Sequence, residues 1–378
     1  MGKTATEVYL ADTQPGLAPA IRAVFDHFGG GAGMLRASRD VYIKVNAVGD
    51  KLYSYTDPEV LRETILYFKS CGARDIYVIE NCTQANFTRL VFQGIGFTRI
   101  CKETGATPVY LDETPATPIF LKGTEQFVDI SRFVFERLIT HREENLYVSL
   151  PKLKTHSMSQ VTLSIKNQFG LVHQKSRIVD HNYRIHQRFA DIYRVIRPDF
   201  ALIDGLIATN HGHYFPTGNA DKQVVPMDLM IGGPDSLAVD VVGAALMGFS
   251  IQEVAHLALS RATGIGEGDI DRINIINRPL FESRKQQLTC ELLNDFPPAM
   301  PIIRGQELCC KEGCRLNTES VIEMLYRDHG GKGGFTVVMG KGFDRQAMDQ
   351  ITGPVHIAGS CAIEEVAWGS ASVSATRL

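Results

Sequence analysis

The strongest constraint in this chain is a repeated alternation of short β-branched runs with segments of helical character. DVYIKVNAV (40–48) alternates and reads as a strand. TDPEVLRETILYFKSCGA (56–73) then reads as a helix, with Thr56 or Asp57 at the N-cap, Pro58 at the first helical position and Gly72 as the stop. DIYVIEN (75–81) is the next strand, 86–106 is mostly helix, and PVYLD (108–112) is another strand. That spacing calls for right-handed crossovers and a parallel sheet. The rhythm resumes with NLYVSLPKL (145–153) as strand, 186–196 as helix, and 199–206 and 225–233 as strands. Helices over 235–249 and 251–264 and a strand over 271–277 complete it.

Beyond about residue 280 a stretch with three prolines and no clear period breaks the pattern. A Cys-rich turn at 309–314, a helix at 317–327 and strands at 335–340 and 354–359 follow. The expected fold is therefore α/β: a mainly parallel sheet with flanking helices as a main domain over 1–280, and a smaller C-terminal Cys-rich α/β module over 281–378. A length of 378 residues suits two such bodies.

A net charge of -3 and a pI near 6.4 argue against a nucleic-acid partner. The sequence has no apolar run of membrane-spanning length, so no membrane partner is expected. The stretch MGKTATEVYLADTQPG lacks the apolar core of an export signal, which makes the cytoplasm the expected location.

In open parallel sheets, ligands sit outside the carboxyl ends of the strands. Polar groups gather at such ends here: Lys44 and Asn46 after the first strand, and Lys152, Lys154, Thr155 and His156 after 145–153. Asp204 follows with the 199–206 strand, and Lys166 and Asn167 lie in SIKNQFG. Lysines supplied by separate strands suit a carboxylate or phosphate. Alternation puts Lys152 and Lys154 on one face, which is equally compatible with solvated ends of an edge strand. Histidines form a second group: His156, His173, His181, His186, His211 and His213 are six of the chain's eleven. Imidazoles so clustered bind metal or move protons near neutral pH. No H-E-x-x-H, Walker A or G-x-S-x-G motif occurs.

Of eight cysteines, Cys71, Cys82 and Cys101 read as core residues. Cys309, Cys310, Cys314 and Cys361 form a C-C-x3-C pattern joined by a distant fourth, the set an iron–sulfur cluster, or alternatively zinc, would use. Adjacent cysteines rarely share one ion, so Cys310, Cys314 and Cys361 form the better trio, with Cys309 or Cys290 as fourth. A redox-active thiol pair and inert cysteines remain open.

IKVN (43–46), TDPEVLRETILYFKSCGARDIYVIEN, LPKLKTHSMSQVTLSIKNQFGLV, RPDFALIDGL, GGPDSLAVDVVGAALMG and TGIGEGD resemble, in order and spacing, domain-of-unknown-function family 362. The likeness spans about 40–280, and its most specific part is K-L-K-T-H…I-K-N…G. It implies cysteine motifs or ferredoxin-type segments in the 309–361 region. One departure is NHGHYFPTG, where the family often has a short Gly-rich loop. SIKNQFG with its histidines is also similar in kind to nickel-dependent lactate racemases, whose cofactor is carried on a lysine; no catalytic role is transferred on that likeness.

The resulting expectation is an iron–sulfur-dependent (4Fe-4S) redox enzyme of anaerobic type acting on a small anionic substrate. Lys44, Asn46, Lys152, Lys154, Asn167, His181 and His213 would bind it, with His156, Lys166 and His211 as catalytic groups. An electron-donor protein is the partner this calls for, and a homodimer is compatible. The alternatives are a non-catalytic iron–sulfur carrier of electrons or clusters, and a metal-dependent racemase or isomerase.

Overall fold

In the computed structural model, which describes residues 5–35, 39–82, 86–178, 184–213, 220–369 and 376–377, hydrophobic strands assemble into one large mixed sheet. In chain order the strands are β1 (Thr6–Asp12), β2 (Asp40–Val45), β3 (Ile76–Glu80), β4 (Thr107–Tyr110), β5 (Ala116–Leu121) and β6 (Gln126–Ser131). β7 (Asn145–Leu150), β8 (Lys152–His156), β9 (Gln160–Thr162), β10 (Phe200–Thr209), β11 (Val224–Gly233) and β12 (Ile273–Ile276) follow. The sheet runs β12-β1-β11-β10-β7-β2-β3-β4, with β8 paired to β10 and β9 to β8. Every pair from β10 through β7, β2 and β3 to β4 is parallel, as the alternating pattern predicted. β11 departs from it, pairing antiparallel with both β10 and β1. The β5–β6 hairpin, in a segment the periodicity did not resolve, stands apart as a two-stranded sheet.

β2 and β7 are buried at every position, as strands covered on both faces must be. Alternation sorts their side chains. Tyr42 and Tyr147 enter one core with Leu163, Ile165 and Phe189, while Val41, Ile43, Leu146 and Val148 enter the other with Ile65 and Phe68. Lys44 lies two residues beyond Tyr42 and shares its face. The flanking helices start where their caps place them: Asp57 accepts from Glu59 N at 2.8 Å ahead of helix Pro58–Ser70. Asp235 accepts from Leu237 N and Ala238 N ahead of helix Ser236–Leu246. Gly72 and Gly248, at φ +88° and +84°, end the two turns in the left-handed region.

The chain forms two compact units. The first comprises Met1–Thr155, Val161–Asn210 and Val224–Leu288; the second comprises His156–Gln160, His211–Gln223 and Thr289–Leu378. The second contains an all-parallel sheet in the order β13 (Ile302–Arg304), β14 (Thr336–Met339), β15 (Val355–Ala358), β16 (Thr376–Arg377). Its core lies on both faces of β14, with Val338 packed into one cluster and Val337 and Met339 into the other. No helix among the described residues is long and apolar enough to cross a membrane.

Candidate functional site

Parallel strands β2, β3 and β7 end side by side, and their carboxyl ends carry the first group of candidate residues. Lys44, 1% exposed, points its Nζ at Glu80 Oε1 (2.5 Å) and also donates to Val45 O (2.8 Å) and Asn167 Oδ1 (3.3 Å). Glu80 is held in turn by backbone, accepting from Ala47 N (2.9 Å) and Asn81 N (2.8 Å). Asn167 sits astride the strand ends. It donates to Lys44 O (3.0 Å) and Ser149 Oγ (3.2 Å), and accepts from Asn46 Nδ2 (3.2 Å). A Cβ at Gly170 would lie 2.4 Å from Glu80 Oε1 and 2.7 Å from Lys44 Nζ, so backbone itself closes over this ion pair.

Lys152, 2% exposed, pairs with Asp204 Oδ2 at 3.0 Å. Asp204 sits beside a β-bulge between Gly205 and Ile207 and also accepts from Asp57 N (2.7 Å) and Leu206 N (3.1 Å). Both carboxylates are therefore committed. Lys154, at 0% exposure, donates to Ser54 O and has no carboxylate within ion-pair distance among the described residues. Lys166 likewise has none; its Nζ lies 5.5 Å from the centroid of the Phe189 ring. The solvated-edge alternative for Lys152 and Lys154 is thereby overturned, because both side chains are inside.

An unpaired ammonium taken out of water costs several kcal/mol, and the group responds by losing its proton. Burial pushes Lys154 well below the usual lysine range, with the Lys166 and Lys152 charges adding to it. Burial, then Lys44 and Arg177, bring Lys166 down to about 7, against the pull of Glu80. Lys44 is lowered by burial too, with Glu80 opposing. The turn bearing Lys166 is pinned by Asp240, whose two oxygens accept from Ser164 N and Ile165 N at 2.7 Å each. Burial raises that carboxyl to about 8. Asn46 Oδ1 and Ser164 Oγ are buried without a hydrogen-bond partner. Burial thus lowers three of these gathered amines, Lys166 to about 7.

Of the predicted histidines, His156, His211 and His213 fall in the second unit and His173 and His186 in the first. His156 and His213, 3% and 4% exposed, stack face to face with centroids 3.5 Å apart. Met158 N–H donates to His156 Nδ1 (3.1 Å), which puts the proton of the neutral ring on Nε2. His213 Nδ1 lies 3.3 Å from Ser157 Oγ. His211, at φ +60°, is held by a contact between its Nδ1 and Glu291 O (2.8 Å). His181 lies outside the described residues.

The four candidate cysteines are also in the second unit and form no disulfide: Cys310 is exposed, and Cys309, Cys314 and Cys361 are half-buried. Burial raises the Cys314 thiol, and Cys310 and Cys361 are near enough to raise it further. A Cβ at Gly359 would lie 3.0 Å from Cys314 Sγ, which brings the segment leading to Cys361 against that thiol. Even so, among the described residues no three His, Cys, Asp or Glu side chains form a set that could hold a metal ion. As placed, the thiols are neighbours but not a donor set. Cys82 and Cys101 are core residues, as expected.

Sequence reasoning missed Glu80, Gly170 and His256. Glu80 ends a parallel strand, so the strand-end rule that selected Lys44 would have selected it. His256 lies within helix Ala255–Ala262, and nothing in its local pattern marks it.

A family model described as Domain of unknown function (DUF362) matches residues 41–245. The thylakoid-associated protein sll1697 of Synechocystis sp. (strain ATCC 27184 / PCC 6803 / Kazusa) is 25% identical over 129 residues, covering 32% of this chain. The match spans only 39% of that protein's own length. Among solved structures, the lactate racemase apoprotein from Thermoanaerobacterium thermosaccharolyticum is similar at a TM-score of 0.40 and 12% identity, over 89% of this chain and 69% of that one. With the K-L-K-T-H…I-K-N…G core lying inside the matched span, the chain belongs to the DUF362 family.

Proposed function

We propose that the lysine cluster at the carboxyl ends of β2 and β3, along β8 and on the Ser164–Asn167 turn binds a small anion, a carboxylate or phosphate, as the substrate of an enzyme. Lys166 is its proton-transfer group. One observation carries this reading: among the described residues, buried Lys154 and half-buried Lys166 have no carboxylate partner, beside two lysines whose carboxylates are fully used. A bound anion supplies the missing charge. An amine with a pKa of about 7 is divided between acid and base at neutral pH, as general acid–base chemistry requires. Proton movement on a small anion of this kind suits an isomerase or racemase.

Calorimetric titration with sulfate, phosphate and acetate tests it. Lys166→Met and Lys154→Met each lower affinity about ten- to hundredfold, the worth of a charge-assisted contact. Equal binding by wild type and both variants, or no binding of any probe, would sink it.

A second proposal, favoured by the gathering of thiols around Cys314, is a 4Fe-4S cluster on Cys309, Cys310, Cys314 and Cys361. It would support a redox role, either catalytic or as a carrier. Iron and acid-labile sulfide in anaerobically purified protein, lost in Cys314→Ser, support it; iron-free, colourless protein removes it.

A further inference from the structure

Helix Ala255–Ala262 packs against helix Ile185–Val195 and against the Ser164–Asn167 turn that carries Lys166. It brings in His256, which is 0% exposed and has no hydrogen-bond partner on either ring nitrogen. Two orphaned ring atoms in one buried side chain are a large local cost, about 1–3 kcal/mol for each unsatisfied group. Folded proteins rarely keep such groups without a reason. The surroundings supply one. The His256 ring stands edge-on to Phe189 (5.6 Å, 89°), the same ring over which Lys166 Nζ sits at 5.5 Å, and it stacks on His186 (6.0 Å, 7°).

We propose that His256 is a second acid–base group of the Lys166 site, facing the bound anion and taking up a proton as that anion binds. This rests on the reading of the lysine cluster as an anion site. A neutral imidazole is both donor and acceptor, so it can give the anion a hydrogen bond or remove a proton from it. The titratable groups bearing on His256 are His186 from its neighbouring helix and Lys166 from the turn. With burial they hold His256 well below the ordinary histidine range in the empty protein. Asp240, on helix Ser236–Leu246, does not offset them, since burial raises its carboxyl to about 8 and leaves it largely uncharged near pH 6. An anion at Lys166 reverses that balance and draws a proton onto the ring. In turnover the balance is a proton from the His256 imidazolium to the ligand and one from the ligand to the neutral Lys166 amine, with no net release.

Calorimetric titration with sulfate or acetate near pH 6, in two buffers of different ionisation heat, counts protons taken up on binding. Lys166 is already mostly charged at that pH, so uptake there belongs to another group. Wild type is expected to take up about one proton, and His256→Gln to bind with none. Equal uptake in wild type and His256→Gln would overturn the inference while leaving the anion site standing. Failure of wild type to bind either probe, or unchanged binding in Lys166→Met, would bring down the underlying reading and this one with it. If His256→Gln does not fold, NMR of the wild-type ring decides. A His256 pKa that rises when sulfate is added supports the inference, and one that does not move overturns it.

Discussion

The lysine cluster of the first unit and the thiol cluster of the second concentrate chemistry in opposite ways. In the first, Lys44 and Lys152 are fixed by carboxylates and Lys154 by a backbone carbonyl, and all three are no more than 2% exposed. In the second, thiols gather on a turn, one of them exposed and three half-buried, without forming a donor set. The first is organised before any ligand arrives, which lowers the cost of binding. The second is a set of neighbours that an added group would still have to organise. Buried charge demands local order; half-exposed thiols do not.

The largest blow to this contrast is Glu80→Gln, which leaves the Lys44 ammonium without its counter-charge. Denaturant unfolding should show a loss of about 3–5 kcal/mol, and a loss below 1 would mean that Lys44 is not charged in the fold. Next is Gly170→Ala, whose Cβ would meet both members of the Lys44–Glu80 pair. The expected cost is about 1–3 kcal/mol, with weaker binding of sulfate or acetate; full stability would show that the 168–171 turn can retreat.

Lys166 sharpens the contrast through pH. Its folded pKa lies below the ordinary lysine value of 10.5, so between about pH 7 and 10.5 the unfolded chain binds more protons. Its contribution to stability must therefore rise with pH across that window. Stability curves of wild type and Lys166→Met should converge toward pH 10.5, with wild type lower at pH 7. Parallel curves would place Lys166 in water. Anion affinity runs the other way, falling as pH climbs through about 7 and the ammonium is lost. The smallest effect belongs to the exposed thiol: Cys310→Ser should change stability by no more than about 0.5 kcal/mol in metal-free protein. A larger loss would show that Cys310 is already structural.

Much of the first unit was legible because its signals are local. Asp57, Pro58 and Gly72 mark one helix, Asp235 and Gly248 another, and β-branched runs mark β2, β3 and β7. Lys44, Lys152 and Lys154 could be placed at strand ends from periodicity alone. Their partners could not, since Glu80 and Asp204 meet them only through sheet order. The antiparallel course of β11 was hidden for a related reason: strand direction depends on how the chain returns, not on the composition of VPMDLMIGG. His256 was invisible because a histidine beside leucine on a helix reads as ordinary core until its ring nitrogens are found without partners. The face-to-face pairing of His156 with His213 was likewise hidden, a long-range contact that spacing does not encode.

Gly170 has a consequence for how this site could diversify. At Gly170 any added side chain displaces the Lys44–Glu80 pair, so selection explores substitutions there only by disturbing a buried ion pair. Any relative that handles a bulkier or differently charged ligand must have changed at other positions, with the turn after Asn167 left as it is.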